Sequence, residues 1–228
     1  MTLLEIAKKY PTSKNDHGFI EIYHKHFSNL KEDKINILEI GVERGDSLRM
    51  WREYFTNASI CAIDLHDRNI LVNNTEILIG DQSDHSFLQS VVSKYGTFDI
   101  IIDDGSHQSK HIIASFNFLF NHLSDNGIYV IEDLQTSYQP RYGGSRFNLN
   151  KKKSSMSFIK SLADSINYEH KDKPFFKRNT FDGSIKSISF YQNIAFITKG
   201  ESVNYFFDNI KKSTFSDKIK KVISFFYR

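Results

Sequence analysis

The stretch Phe98-Asp-Ile-Ile-Ile-Asp-Asp-Gly-Ser-His107 constrains this chain more than any other. Three consecutive isoleucines fit a strand buried on both faces. That strand runs directly into two carboxylates, a glycine, a serine and a histidine. The same order returns in Gly127-Ile-Tyr-Val-Ile131, which is followed by Glu132-Asp133. Buried strands with acids at their C-terminal ends describe the ligand-binding edge of an open α/β sheet. If the two strands are neighbours, Asp104, Glu132 and Asp133 meet in one place with His107 beside them. Three carboxylates and an imidazole together suit a hard divalent cation and a base. Asp103 precedes the turn, and on strand alternation its side chain should point away; it is a candidate for supporting the site or touching the ligand.

Upstream, Lys34-Ile-Asn-Ile-Leu-Glu39-Ile-Gly41 reads as a strand, followed by a turn with Glu43 and Gly45 and a helix through Ser47, Met50, Trp51 and Phe55. Strand, glycine turn and helix form the first unit of a nucleotide-binding α/β fold. Gly41 and Gly45 would let the backbone approach a ligand or take positive φ. Glu43 stands where a dinucleotide site needs its second glycine, and a carboxylate there disfavours a pyrophosphate. Asp64 ends the next strand about twenty residues later, where an acid can accept both hydroxyls of a ribose; capping the following helix is the alternative. A third strand, Thr75–Ile79, leads into Asp81 and Gln82, available to an adenine edge, and Asp84 is placed to cap a helix.

Residues 1–30 read as a helical cap, with Ile20, Tyr23 and Phe27 on one face. Lys14 and His17 lie just ahead as ionisable groups within reach of a ligand, and Asp16 is expected to cap a helix. After the second acidic strand, residues 134–150 mix aromatics, arginines and the pair Gly143-Gly144. That make-up suits a substrate-binding lid with Gln135, Thr136, Tyr138 and Arg141 as contacts, or a plain surface loop. A helix from Ser154, an antiparallel hairpin over 184–199 and a basic amphipathic tail over 201–228 complete the chain. The tail suits packing on the protein or a second subunit better than lying on anionic lipid.

At 228 residues, with 39% hydrophobic and 25% charged side chains, one domain with a substantial core is expected over 1–228. A net charge of +3, with Lys151-Lys152-Lys153 and the lysines of the C-terminal segment the conspicuous clusters, gives no concentrated basic face for nucleic acid. The N-terminal stretch has no signal-peptide pattern, no run is long enough to span a bilayer, and the one cysteine forms no disulfide framework. A cytoplasmic protein is expected.

Leu38-Glu-Ile-Gly41-Val, Ser47-Leu-Arg-Met-Trp51, Gly80-Asp-Gln-Ser83, Ile102-Asp-Asp104-Gly-Ser-His107 and Ile131-Glu-Asp133-Leu-Gln-Thr-Ser-Tyr138 occur in order. Together they resemble the metal-dependent sugar O-methyltransferases of macrolide biosynthesis, within the class I S-adenosylmethionine-dependent methyltransferases. The resemblance covers about Lys14 to Gly144. It implies an α/β, Rossmann-like, mostly parallel seven-stranded sheet with a C-terminal antiparallel hairpin and helices on both faces. It further implies that Asp104, Glu132 and Asp133 hold Mg2+, that His107 is the general base, and that Glu39, Gly41, Asp64, Asp81 and Gln82 frame S-adenosylmethionine. Lys14, His17, Gly45, Ser47 and Asp103 complete the expected donor set. The acceptor would be a small glycoside or a surface-polysaccharide precursor, and a homo-oligomer would fit the family. The sequence departs from the family in lacking its long additional N-terminal domain, in a shorter first glycine loop and in the region after Gly144. A catechol-type O-methyltransferase and a donor-binding protein without catalysis are the competing readings.

Overall fold

The computed structural model describes residues 1–168 and 179–201; the expected tail, beyond Glu201, lies outside them. Chain order is α1 (Leu3–Ala7), α2 (Ser13–Asp16), α3 (Phe19–Phe27), β1 (Asn36–Ile40), α4 (Asp46–Tyr54), β2 (Ser59–Asp64), β3 (Thr75–Ile79) and α5 (His85–Tyr95). It continues through β4 (Phe98–Asp103), α6 (Ser109–Leu119), β5 (Leu123–Ile131), α7 (Ser155–Ile166), β6 (Ile185–Tyr191) and β7 (Ile194–Lys199). The described strands form one seven-stranded sheet in the order β3-β2-β1-β4-β5-β7-β6. Strands β1 to β5 pair in parallel, while β7 runs antiparallel between β5 and β6. Strand order reverses between β1 and β4, the switch point where open α/β sheets bind ligands.

Alternation along the central strands explains why both faces are covered. Ile37, Ile60, Ile100, Val130 and Phe196 pack with α1, α3 and α4 through Leu3, Tyr23, Phe27 and Trp51. Their neighbours Leu38, Cys61, Ile101, Tyr129 and Ile197 face α5, α6 and α7 through Leu88, Phe116 and Leu162. Each strand thus serves two layers, as continuous apolar runs require. Edge strand β3 is less apolar and carries the exposed Glu76. Burial pushes the Cys61 thiol up to about 12, so it holds its proton. Among the described residues no helix is long and apolar enough to cross a membrane.

The N-terminal cap is helical and divides into three short helices and a 3-10 turn at Ser28–Leu30. Pro11 and left-handed Gly18 (φ 69°) interrupt the pattern. Asp16 caps no helix: it is the last residue of α2, which Thr12 caps with its hydroxyl accepting from the Lys14 N–H at 3.4 Å, and α3, the helix that carries Ile20, Tyr23 and Phe27, starts at Gly18 without a side-chain cap. Asp84 caps α5 as expected, accepting from the N–H groups of Ser86 and Phe87. No helix follows Asp64 directly, so its carboxylate has no helix to cap. Residues 134–142 form two 3-10 turns. The segment is pinned by the Ser145 N–H on the Ser137 carbonyl and the Met156 N–H on the Ser137 hydroxyl. Gly144 acts there by close packing: a Cβ on it would lie 2.0 Å from the Ser137 carbonyl oxygen.

Candidate functional site

Strands β4 and β5 are neighbours, with Asp103 opposite Ile131, so both acidic turns leave the sheet side by side. Pairing continues one residue further: the Glu132 N–H donates to the Asp103 carbonyl at 3.0 Å, and the Asp104 N–H to the Ile40 carbonyl at 2.9 Å. Asp104, His107 and Asp133 each bring one ligand atom within 4.8 Å of the others. His107 Nε2 stands 3.4 Å from Asp133 Oδ2. His107 (φ 56°) and Asp133 (φ 53°) both adopt the left-handed conformation that non-glycine residues rarely hold. Thr136 braces both, its hydroxyl donating to the carbonyls of Asp133 (2.7 Å) and His107 (3.4 Å). Gln135 Nε2 donates to Asp133 Oδ1 at 3.0 Å and aims that carboxylate.

Beneath this trio lies a buried ion cluster. Lys14 Nζ contacts Asp104 Oδ2 at 2.6 Å, Glu132 Oε1 at 2.8 Å and Glu39 Oε1 at 3.5 Å. Burial alone would lower the lysine pKa, but the charges of Asp104, Glu132 and Glu39 outweigh it and raise it well above the ordinary value. Burial, and then the charge of Asp104, push Glu132 up to about 8 against the opposing pull of Lys14. The Tyr23 hydroxyl also donates to Glu132 Oε1. Glu39 is raised by burial and accepts from Ser47 Oγ (3.1 Å) and Trp51 Nε1 (3.4 Å).

A cavity of about 510 Å³ opens over the C-terminal ends of β1, β2 and β4, within the size range of small-ligand sites. Lys14, His17, Gly41, Ser47, Asp64, Asp81, Gln82, Asp104, His107 and Asp133 all line it. The Asp64 carboxylate accepts from the N–H groups of Val42 and His66, each at 2.9 Å. Burial raises its pKa, but these donors, with the Glu43 N–H and the Arg68 guanidinium 3.7 Å from Oδ2, outweigh that and leave it lowered. Asp81 is held by the Ser83 N–H and hydroxyl, both on Oδ1 at 2.8 Å. Gln82 turns inward: Nε2 donates to Asp103 Oδ1 at 3.0 Å, and Oε1 accepts from the Ser106 N–H at 2.8 Å. Its amide therefore braces the turn that carries Asp104 and His107.

Eight of the expected site residues do not line this cavity: Glu39, Gly45, Asp103, Glu132, Gln135, Thr136, Tyr138 and Arg141. Glu39 and Glu132 lie under the Lys14 ammonium. Asp103 faces the opposite layer, where Ser115 Oγ (2.8 Å) and Gln82 hold it and burial raises its pKa; strand alternation turned it away from donor contact. Gly45 starts α4, and a Cβ there would meet Ile70 at 2.7 Å. Gly41 is on the wall, but its φ of 92° and a hypothetical Cβ 2.2 Å from the Asp104 carbonyl oxygen tie it to strand packing. Gln135 and Thr136 support Asp133 and His107, Tyr138 is exposed, and the Arg141 guanidinium stacks on Tyr142. Conversely, Arg44, His66 and Arg68 are on the wall without having been singled out as site residues, and His111, one helical turn beyond His107, is there as well. Adjacency to Asp64 was the available signal for His66 and Arg68.

No protein-family model matches the chain. It is 35% identical over 213 residues to the mycinamicin VI 2''-O-methyltransferase of Micromonospora griseorubida, covering 88% of this chain and 53% of the relative. Identity to the demethylmacrocin O-methyltransferase of Streptomyces fradiae is 34% over 209 residues, 87% of this chain and 53% of that protein. Among solved structures, the MycE methyltransferase of the mycinamycin biosynthetic pathway, in complex with Mg and SAH, superposes with a TM-score of 0.85 at 33% identity. That match covers 97% of this chain and 60% of MycE. The chain is a homologue of these macrolide-sugar O-methyltransferases. It spans about half the length of the relatives it matches in sequence.

The acidic edge of this methyltransferase homologue fits the group that MycE is described with. Asp104 and Asp133 present hard oxygen donors at the cavity, the type Mg2+ prefers, and two carboxylates leave positions for water or acceptor oxygens. Imidazole nitrogen is a poor match for Mg2+. Glu132 follows on the same strand end, with Oε1 engaged by Lys14 and Tyr23.

Proposed function

We propose that this chain catalyses S-adenosylmethionine-dependent, Mg2+-assisted O-methylation of a sugar hydroxyl on a glycoside, with His107 as general base. The observation that carries the reading is the convergence of Asp104, His107 and Asp133 within 4.8 Å on the wall of a cavity that also carries Asp64. Asp64 would accept the ribose hydroxyls and Asp81 the adenine amino group. Ser47 and the N-terminal wall around His17 would close over the methionine moiety. Asp104, Asp133 and the adjoining Glu132 would hold the cation. When bound, it supplies Lewis acidity that lowers the pKa of a sugar hydroxyl and fixes its angle to the sulfonium methyl. His107 then takes the hydroxyl proton, and Asp133 stabilises the imidazolium from 3.4 Å. The methyl carbon passes to the sugar oxygen as its bond to sulfur breaks, and the donor leaves as the neutral thioether.

The relatives are named for sugars on macrolides and tetracenomycins, which favours a glycosylated small molecule over a surface polysaccharide as acceptor. Incubating the protein with methyl-labelled donor and a panel of rhamnosides, other deoxyhexosides and catechols tests this. Label should appear as a sugar methyl ether, and only on glycosides with adjacent free hydroxyls. Labelling of catechols alone would replace the sugar reading with the catechol one. Replacing Asp64 by Ala should weaken S-adenosylhomocysteine binding by roughly 10- to 100-fold, the scale of hydrogen bonds to a charged group. Calorimetry showing unchanged affinity would remove Asp64 from the donor site.

A further inference from the structure

The Lys14 ammonium does something that the reaction above does not call for. Its side chain is 1% exposed, yet it belongs to the N-terminal segment that forms one wall of the donor cavity through Pro11, Thr12 and His17. An ammonium has three N–H donors, and Lys14 meets three carboxylates: Asp104 and Glu132 closely, Glu39 at 3.5 Å. Two of these are the acids assigned above to a dication. A lysine seated between them neutralises charge that a dication would otherwise neutralise, and it occupies the oxygens that a dication would grip.

We propose that Lys14 is a positioning residue acting on both ligands with opposite sign. It is a built-in monovalent competitor for the dication at Asp104 and Glu132, and it is the latch that holds the 11–17 wall against the donor cavity. Binding of a dication moves the ammonium off at least one of those oxygens. Glu39, buried and already hydrogen-bonded by Ser47 and Trp51, remains as the acceptor that keeps the wall attached. Like charges that share acceptors at contact distance repel strongly where water is excluded, so the lysine sets how tightly the cluster takes metal. The proposal rests on the metal reading, and its test separates the two.

The test is binding rather than turnover. Mn2+ affinity is measured by electron paramagnetic resonance, and S-adenosylhomocysteine affinity by calorimetry, on wild type and on Lys14→Met. The variant is expected to bind Mn2+ roughly tenfold or more tighter, because a like charge has been removed from contact distance. S-adenosylhomocysteine binding should weaken several-fold because the wall loses its anchor. A variant damaged only in its folding would weaken both. If wild type binds Mn2+ and the variant binds it equally or more weakly, the competitor role is overturned while the metal reading stands. Unchanged S-adenosylhomocysteine affinity overturns the latch. If wild type takes up no Mn2+, the metal reading fails and this proposal fails with it. Lys14→Gln, neutral but able to donate to one carboxylate, is read in the same way should Lys14→Met fail to fold.

Discussion

His107→Ala lowers the rate of methyl transfer by roughly two to four orders of magnitude, the usual worth of a positioned general base, while S-adenosylhomocysteine affinity stays within about threefold, as for a residue that moves a proton rather than binding the donor. The expectation follows from where the ring sits. His107 ends a tight turn after Gly105 and Ser106, is held left-handed with its carbonyl tied to Thr136, and faces the cavity beside Asp133. Such a backbone conformation is costly for a non-glycine residue and persists where surrounding contacts over-determine it. Here those contacts are the Gln82 amide on Ser106 and the Thr136 hydroxyl on His107. A sugar hydroxyl is far too weak an acid to leave its proton to water at neutral pH. Removing the base should therefore appear in kcat and not in donor binding. Turnover within threefold of wild type in single-turnover kinetics would take His107 out of the role.

The second large effect concerns the metal. In excess chelator, turnover should fall to background and return when Mg2+ is added back, whereas S-adenosylhomocysteine binding should persist. The separation is expected because the donor-side groups, Asp64 and Asp81, hang on the ends of β2 and β3, while Asp104 and Asp133 follow β4 and β5. The two groups of ligands thus rest on different strands. Asp64 is fixed by two backbone N–H groups and needs no cation to hold its orientation. At the acidic edge Asp104, Glu132 and Glu39 share a single ammonium, Lys14, in contact with all three, and that is where a dication would act. Full activity in excess chelator, assayed by transfer of labelled methyl, would exclude the metal-assisted mechanism and leave His107 alone to activate the hydroxyl.

Much of the architecture was legible in residue order. Ile100 to Ile102 announce a strand covered on both faces, and their alternating burial against two helical layers is what such a run produces. Asp84 reads as a cap and is one. Where local rules misplace residues, a competing local or tertiary partner explains it. The apolar spacing of residues 1–30 is helical, but Pro11 and Gly18 divide it, and Gly18 rather than Asp16 stands at the start of the helix carrying Ile20, Tyr23 and Phe27. Gln82 lies on the cavity wall where an adenine contact is expected, yet its amide is bonded to Asp103, Ser115 and the Ser106 N–H. Gln135 and Thr136 sit beside the site as substrate contacts should, but they aim Asp133 and His107 instead.

Residue order alone lays down the sheet and the clustering of acids at its C-terminal edge. Apolar periodicity and the residues that end each strand are local properties, and parallel pairing of two such strands brings their ends together. Three-dimensional packing alone settles that Asp133 faces the cavity, Glu132 the buried lysine, and Asp104 both. That choice depends on Lys14, 90 residues away from Asp104 in the chain, entering the same space. No local pattern encodes the meeting of groups so far apart; burial does, because an ammonium excluded from water is stable only where several carboxylates surround it.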